Sequence, residues 1–317
     1  MAERDRIARY FAPLTIAEPG SFHLTDDAAL LTPPPGQQLI ITTDSVIQGI
    51  HVLDAASPAH YAQKLVRRNL SDLAAMGATP WRYSINLHSS TATDDAWFAT
   101  FAATLAAEQA AFGMALIGGD STSGGNIIHA GMTCIGLIAG APLRRHGAQH
   151  GDDLYVSGTI GDAALALTLL QQKLPLADAF AQRYHAPEPR LALGHMLRSI
   201  ATAALDVSDG LLVDTGQLCR ASNVGATVIR DAVPLSAQAQ KMLQQHAALW
   251  PVILNGGDDY ELCFTAPVSA RTTLANVAQE LALPLTRIGT ITTGTTVQLQ
   301  DKNGAPVALD HAGWEYR

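Results

Sequence analysis

Short aliphatic runs alternate with longer segments of helical period along this chain. In the first half, residues 38–42, 83–87, 114–117 and 127–139 read as strands, rich in Ile and closed by Gly or polar residues. Between them, residues 58–76 and 94–112 read as helices. Pro58 suits a helix start, and Gly77 and Gly113 suit helix ends.

A stretch at residues 141–152, holding Pro142, Gly147 and Gly151, breaks the pattern, which then restarts. Strands are expected at 154–157, 204–207, 226–230, 261–265 and 285–291. Helices are expected at 162–172, 190–201, 210–221, 237–245 and 270–281. Two halves of mixed α/β character result, the class being α/β with α+β features. At 317 residues the chain is long for one core, so two domains are expected, at 1–140 and 141–317.

Hydrophobic residues make up 48% and charged residues 15%, the balance of a folded globular protein. The formal charge of −8 disfavours a nucleic-acid partner, the only dense basic clusters being Arg67-Arg68 and Arg144-Arg145. Cys134, Cys219 and Cys263 are widely spaced and set in apolar sequence, as reduced buried thiols would be. Charges enter at once after Met1, with no secretory apolar stretch, and no apolar run reaches the ~18 residues of a membrane span. A cytoplasmic protein with no membrane partner is expected.

Candidate chemistry lies in six acid-bearing segments: Thr25-Asp26-Asp27, Thr42-Thr43-Asp44, Asn69-Leu70-Ser71-Asp72, Gly118-Gly119-Asp120, Asp206-Val207-Ser208-Asp209-Gly210 and Gly256-Gly257-Asp258-Asp259-Tyr260-Glu261. They hold ten of the 28 acidic residues, where core-forming sequence would normally exclude them. Gathered carboxylates repel unless cations hold them, and oxygen-only ligands point to Mg²⁺. Magnesium shared between acids and phosphates is usual equipment for a nucleotide.

Each segment also has a plainer account. Asp72 falls on one helical stripe with Leu65, Asn69 and Met76, so its charge faces inward; a salt bridge to Arg68 or a neighbouring arginine is the alternative to a metal. Thr42-Thr43-Asp44 and Gly118-Gly119-Asp120 follow strands and also suit turns. Ser208 or Asp209 suits an N-cap, although that helix start would also favour a metal-masked phosphate. No GxxxxGK[ST] or GxGxxG motif occurs, and the only lysines are at 64, 173, 241 and 302, so phosphates would rely on magnesium and an arginine.

These segments resemble, in order and spacing, those of the thiamine-monophosphate kinase family, in the aminoimidazole-ribotide-synthetase-like superfamily. Asn69 to Ala78 (NLSDLAAMGA), the DxSDG segment at Asp206 and the closing Gly313-Trp314 carry the likeness. Asp258 stands where the family commonly has Glu, and Thr25 where it has Gly.

The resemblance implies a two-domain fold with an N-terminal ATP- and metal-binding domain that dimerises through its sheet. A C-terminal domain would close over nucleotide and substrate. It implies a homodimer that uses ATP, several Mg²⁺ ions and thiamine monophosphate. Magnesium ligands would fall on Asp27, Thr42, Thr43, Asp44, Asp72, Asp120, Asp206 and Asp209. ATP contacts would fall on Gly119, Asp120, Arg145 and Ser208, and substrate contacts on His51, Asp258 and Trp314. Asp44, Asp120 and Arg145 are the expected catalytic residues, for a direct in-line transfer between two polyanions. Rivals are other enzymes of the superfamily, such as selenophosphate synthetase, or a nucleotide sensor without turnover.

Overall fold

Alternation of apolar and small residues on paired strands sets the architecture of the first half. In the computed structural model, residues 3–308 are described. They form two compact units, one running to Leu73 with Ala78–Gly140, the other comprising Ala74–Gly77 and the chain from Ala141 onward.

The first unit holds α1 (Glu3–Arg6), β1 (Gln38–Ile47), α2 (Pro58–Met76), β2 (Thr79–Ser89), α3 (Asp95–Phe112), β3 (Ala115–Ser123) and β4 (His129–Ile138). Its sheet has the order β1-β4-β2-β3. Strand β4 is antiparallel to both neighbours, and β2 and β3 are parallel. Ile40, Thr42, Asp44 and Val46 share one face of β1, since side chains alternate along a strand. Helix α2 lies over that face, and its Arg67 pairs with Glu108 of α3 at 2.9 Å. On the opposite face Leu39 and Ile41 are 39% and 62% exposed.

Both ends of α3 are set locally. The Asp94 side chain accepts from the Trp97 backbone N–H at 2.8 Å, and Gly113 ends the helix at φ 68°.

Three strands run further than the hydrophobic pattern predicts, among them β2, which spans Thr79–Ser89 against the expected 83–87. β1 continues through Thr43 and Asp44 because β4 offers a partner to every residue up to Ile47, which faces His129. β3 continues through Gly118-Gly119-Asp120 rather than turning. A Cβ on Gly119 would lie 1.9 Å from the Ile85 carbonyl oxygen, so this glycine serves a close approach of β3 to β2. The register of the pair also slips between Tyr83 and Ser84.

The second unit holds β5 (Asp153–Ser157), α4 (Asp162–Gln171), α5 (Asp178–His185), α6 (Leu191–Leu197), β6 (Ala203–Asp206), α7 (Leu211–Ser222), β7 (Gly225–Ile229), α8 (Ala237–Gln245), α9 (Trp250–Asn255), β8 (Leu262–Ala266), α10 (Arg271–Glu280), β9 (Leu285–Thr292) and β10 (Val297–Gln300). Its sheet has the order β10-β7-β9-β5-β8-β6. β5, β6 and β8 are buried at every position, hence their continuous rather than alternating apolar sequence. Leu154, Val156, Leu165, Phe180, Leu205, Leu218 and Ile253 belong to its core. Each such side chain contributes roughly 1.5–3 kcal/mol on burial.

All three cysteines are free and buried. Burial pushes the Cys134 and Cys263 thiols up to about 12 and Cys219 to about 11, so none is a ready nucleophile. Among the described residues, no helix is long and apolar enough to cross a membrane.

Candidate active site

In the first unit, the loop before β1 brings Asp26 and Asp27 to the same cavity as Gly118, Gly119 and Asp120 of β3. The cavity measures about 360 Å³, and Phe11, Leu24, Ile85 and Leu87 supply apolar wall. Ser121, next to Asp120, also lines it; this residue is 7% exposed and its Oγ has no hydrogen-bond partner. A buried hydroxyl left unpaired costs about 1–3 kcal/mol, so a polar ligand here would relieve a standing penalty.

Asp44 and Asp72 lie between β1 and α2. Arg68 grips Asp44 with two nitrogens, Nε to Oδ2 at 2.5 Å and Nη2 to Oδ1 at 2.9 Å, and Asp44 Oδ1 also accepts from the Ser45 N–H. Thr42 Oγ1 donates to Asp72 Oδ2 at 2.5 Å. Arg68, an expected alternative partner for Asp72, binds Asp44. Three of the roughly four acceptor positions on the Asp44 carboxylate are filled by protein donors. Thr43 points its side chain away from Thr42 and Asp44, and its hydroxyl donates to the Met132 carbonyl at 3.0 Å.

His51 follows β1 in a turn, and its Nδ1 accepts from the Ile47 N–H at 3.1 Å. A neutral ring therefore carries its proton on Nε2.

In the second unit, Asp206 closes β6 and is buried. Beyond it, the backbone N–H groups of Ser208, Asp209 and Gly210 all donate to Asp214 Oδ2 at 3.0 Å. The chain's own carboxylate fills the donor cluster that the sequence offered to a phosphate, and neither Ser208 nor Asp209 is the N-cap, which is Gly210. Burial, and then the charge of Asp209, push Asp214 up to about 7 despite those three donors.

The last acid segment folds against this loop. Asp258 N–H donates to the Ser208 carbonyl and Tyr260 N–H to the Val207 carbonyl, each at 2.8 Å. Gly257 sits at φ 67°, where a Cβ would come 2.2 Å from the Ser208 oxygen. Asp258 is half-buried and accepts from the Tyr260 hydroxyl at 2.9 Å.

Asp259 and Glu261 are structural. Asp259 accepts from the Gly161 N–H at 2.9 Å, and its complete burial raises its pKa well above the usual carboxylate range. Glu261 is fully buried beneath Arg183, Arg190 and Ser157. Burial alone would raise its pKa, but the hydrogen bond and charge of Arg190 and the charge of Arg183 hold it below the usual value.

The exposed Arg145 guanidinium donates to Gln217 Oε1 at 2.7 Å, and Gln217 Nε2 donates to Asp209 Oδ2 at 3.3 Å. Arg145, Asp209 and Ser208 thus share one neighbourhood within this unit, whereas Arg144 offers its carbonyl to the Ala204 N–H. Trp314 lies outside the described residues.

Sequence reasoning passed over Ser121, Asp214, Gln217, Arg183 and Arg190. Only Asp214 carried a signal, as an acid directly after the apolar Leu211-Leu212-Val213 start of α7.

Among the described residues, no three His, Cys, Asp or Glu side chains are grouped to hold one metal ion. Magnesium does not require such a group, since it takes one or two carboxylates and completes its shell with phosphates and water. The oxygen-only donors of the cavity fit that ion.

The chain matches two family models, AIR synthase related protein, N-terminal domain, over residues 25–138, and the corresponding C-terminal domain over residues 122–302. These define a two-domain AIR-synthase-related protein. The similarity extends over the full chain to a thiamine-monophosphate kinase of Salmonella typhimurium, 39% identical over 98% of this chain and 96% of the relative. The crystal structure of thiamine-monophosphate kinase from Stenotrophomonas maltophilia K279a is 40% identical, with TM-score 0.81, over 90% of this chain and 91% of that one. AaThiL complexed with AMPPCP and TMP is 25% identical, with TM-score 0.77, over 94% and 97% of the two chains. This chain belongs to the thiamine-monophosphate kinase family.

Proposed function

We propose that this protein transfers the γ-phosphoryl group of ATP to the phosphate of thiamine monophosphate, giving ADP and thiamine diphosphate. Near-full-length kinship to kinases of that name carries the reading. The cavity holding Asp26, Asp27, Asp120 and the unpaired Ser121 hydroxyl supports it.

An acceptor phosphate oxygen bonds to the γ-phosphorus as the bond from that phosphorus to the ADP oxygen breaks. The acceptor is largely ionised near neutrality, its second pKa being about 6, so no strong general base is required. Bringing two polyanions together is the main obstacle, about 4 kcal/mol for each pair of unit charges 4 Å apart at an effective dielectric of 20. Bound magnesium would supply the neutralising charge and Lewis acidity.

The chain's own residues would hold that magnesium through Asp27, Asp44, Asp72, Asp120, Asp206 and Asp209, with Thr42 and Thr43 adding oxygen. Three acceptor positions of Asp44 are already filled by protein donors, so Asp120 is the stronger candidate of the two. Gly119 and Ser208 would approach ATP, and Arg145 would bind its phosphates and stabilise charge on the moving group. His51, Asp258 and Trp314 would contact thiamine monophosphate. Residues 1–140 would supply ATP and metal binding, and residues 141–317 the closure over nucleotide and substrate.

The exposed Leu39 and Ile41 on the open face of the first sheet support pairing of that sheet with a second copy of the chain. Incubation with ATP, Mg²⁺ and thiamine monophosphate, followed by mass spectrometry, tests the reaction. Light scattering tests the dimer.

A further inference from the structure

One neutral side chain of the second unit uses both ends of its amide on groups of opposite charge. Gln217 Oε1 accepts from Arg145 Nη1 at 2.7 Å. Its Nε2 donates to Asp209 Oδ2 and to Asp214 Oδ1, each at 3.3 Å. Gln217 and Asp214 lie three residues apart on α7 and so share a helix face. The second oxygen of Asp214 holds the backbone of Ser208, Asp209 and Gly210. Asp209 is therefore fixed twice, at its backbone by Asp214 and at its carboxylate by Gln217.

We propose that Gln217 is a positioning residue that holds Arg145 and Asp209 ready for the nucleotide while keeping each from neutralising the other. This rests on the kinase reading, in which Arg145 binds phosphate and Asp209 binds magnesium. An amide suits the role because it offers an acceptor to the cation and donors to the anion. Glutamate would keep Arg145 but repel Asp209 and Asp214. Lysine would do the reverse, and leucine would hold neither. Without the spacer, a long exposed arginine beside a carboxylate is free to close on it directly, and that ion pair would have to break before either group met its ligand.

The test is a double-mutant cycle on the full chain, read by calorimetric titration with MgATP and by steady-state kinetics. Gln217→Leu should weaken MgATP binding roughly 10- to 100-fold, the scale of one hydrogen bond to a charged group. KM for ATP should rise more than kcat falls, and the melting temperature should hold. In an Arg145→Ala background the same change should weaken binding by a clearly smaller factor, because only the hold on Asp209 is then left to lose. Should Gln217→Leu fail to fold, Gln217→Asn, one methylene too short to span both partners, should show the same pattern.

Wild-type affinity in Gln217→Leu, or equal losses with and without Arg145, would overturn the proposal. If the wild-type chain binds MgATP but forms no thiamine diphosphate, the kinase reading fails and the binding cycle still decides the role of Gln217. A wild-type chain that does not bind MgATP overturns both.

Discussion

Thr42 Oγ1 donates to Asp72 Oδ2 at 2.5 Å, tying β1 to α2 across 30 residues of sequence. One step along each element, Asp44 meets Arg68. Strand positions i and i+2 thus meet helix positions i+4 and i, and the two rungs fix the rotamers of both acids. Thr42→Val removes the hydroxyl at nearly constant volume. Stability should fall by about 1 kcal/mol. The Mg²⁺ giving half-maximal activity should rise about three- to tenfold, since Asp72 loses a contact that orients it and the site loses the Thr42 oxygen. Thermal melts and a Mg²⁺ titration measure the two effects, and an unchanged titration would detach Asp72 from metal binding.

The buried carboxylate of Glu261 offsets the charge of Arg183 and Arg190, whose side chains are 16% and 18% exposed. Glu261→Gln keeps the shape and removes the buried carboxylate that both arginines hydrogen-bond. We expect a loss of about 2–4 kcal/mol in urea unfolding, tempered by the partial hydration of both arginines. A loss below about 0.5 kcal/mol would show that the cluster is already open to water.

The pH dependence of stability reports on Asp214. Its native pKa is raised to about 7, whereas the unfolded value is near 3.9. Between those values the native state binds more protons, so its stabilising contribution is whole below about 4 and is lost as pH rises through about 7. In metal-free protein, wild type should lose stability relative to Asp214→Asn as pH rises from 4.5 to 7.5, with no further divergence above about 8. Denaturant melts across that range check it, and parallel curves would contradict the assignment.

Gly257 joins the two acid segments of the second unit. Alanine there meets a left-handed backbone at φ 67° and a Cβ position 2.2 Å from the Ser208 oxygen. Strain alone costs about 1–2 kcal/mol, and relief of the overlap must move the Ser208-Asp209 loop. Gly257→Ala should therefore lower kcat/KM at least about tenfold, well beyond its cost in stability. A variant that loses stability in proportion to activity would reduce Gly257 to a folding role.

Much of the fold was legible in the sequence. The helices at Pro58–Met76 and Ala237–Gln245 coincide with the predicted ranges, because each carries its own start signal and periodic face. Helix α5 was missed since only Phe180 and Tyr184 anchor it, and α9, at six residues, is too short to show a helical period of its own. β10 was hidden behind the Thr-rich turn before Val297.

At the site, local sequence gave the acids but not their partners. Arg183 and Arg190 lie 78 and 71 residues from Glu261, and Arg145 lies 72 from Gln217. Contacts at such separation are set by sheet order, which no local motif encodes. Glycine was ambiguous for the same reason. Gly118-Gly119 has the composition of a turn, and only the neighbouring strand makes it a close contact.

The most direct measurement follows ATP, Mg²⁺ and thiamine monophosphate to products with wild type, Asp120→Asn and Asp209→Asn. Wild type should form thiamine diphosphate and ADP in equal amounts and only with Mg²⁺. Each variant should be slowed at least about tenfold, with partial recovery at raised Mg²⁺. Bound ATP without thiamine diphosphate, or wild-type rates in both variants, would contradict a phosphoryl transfer served by these acids.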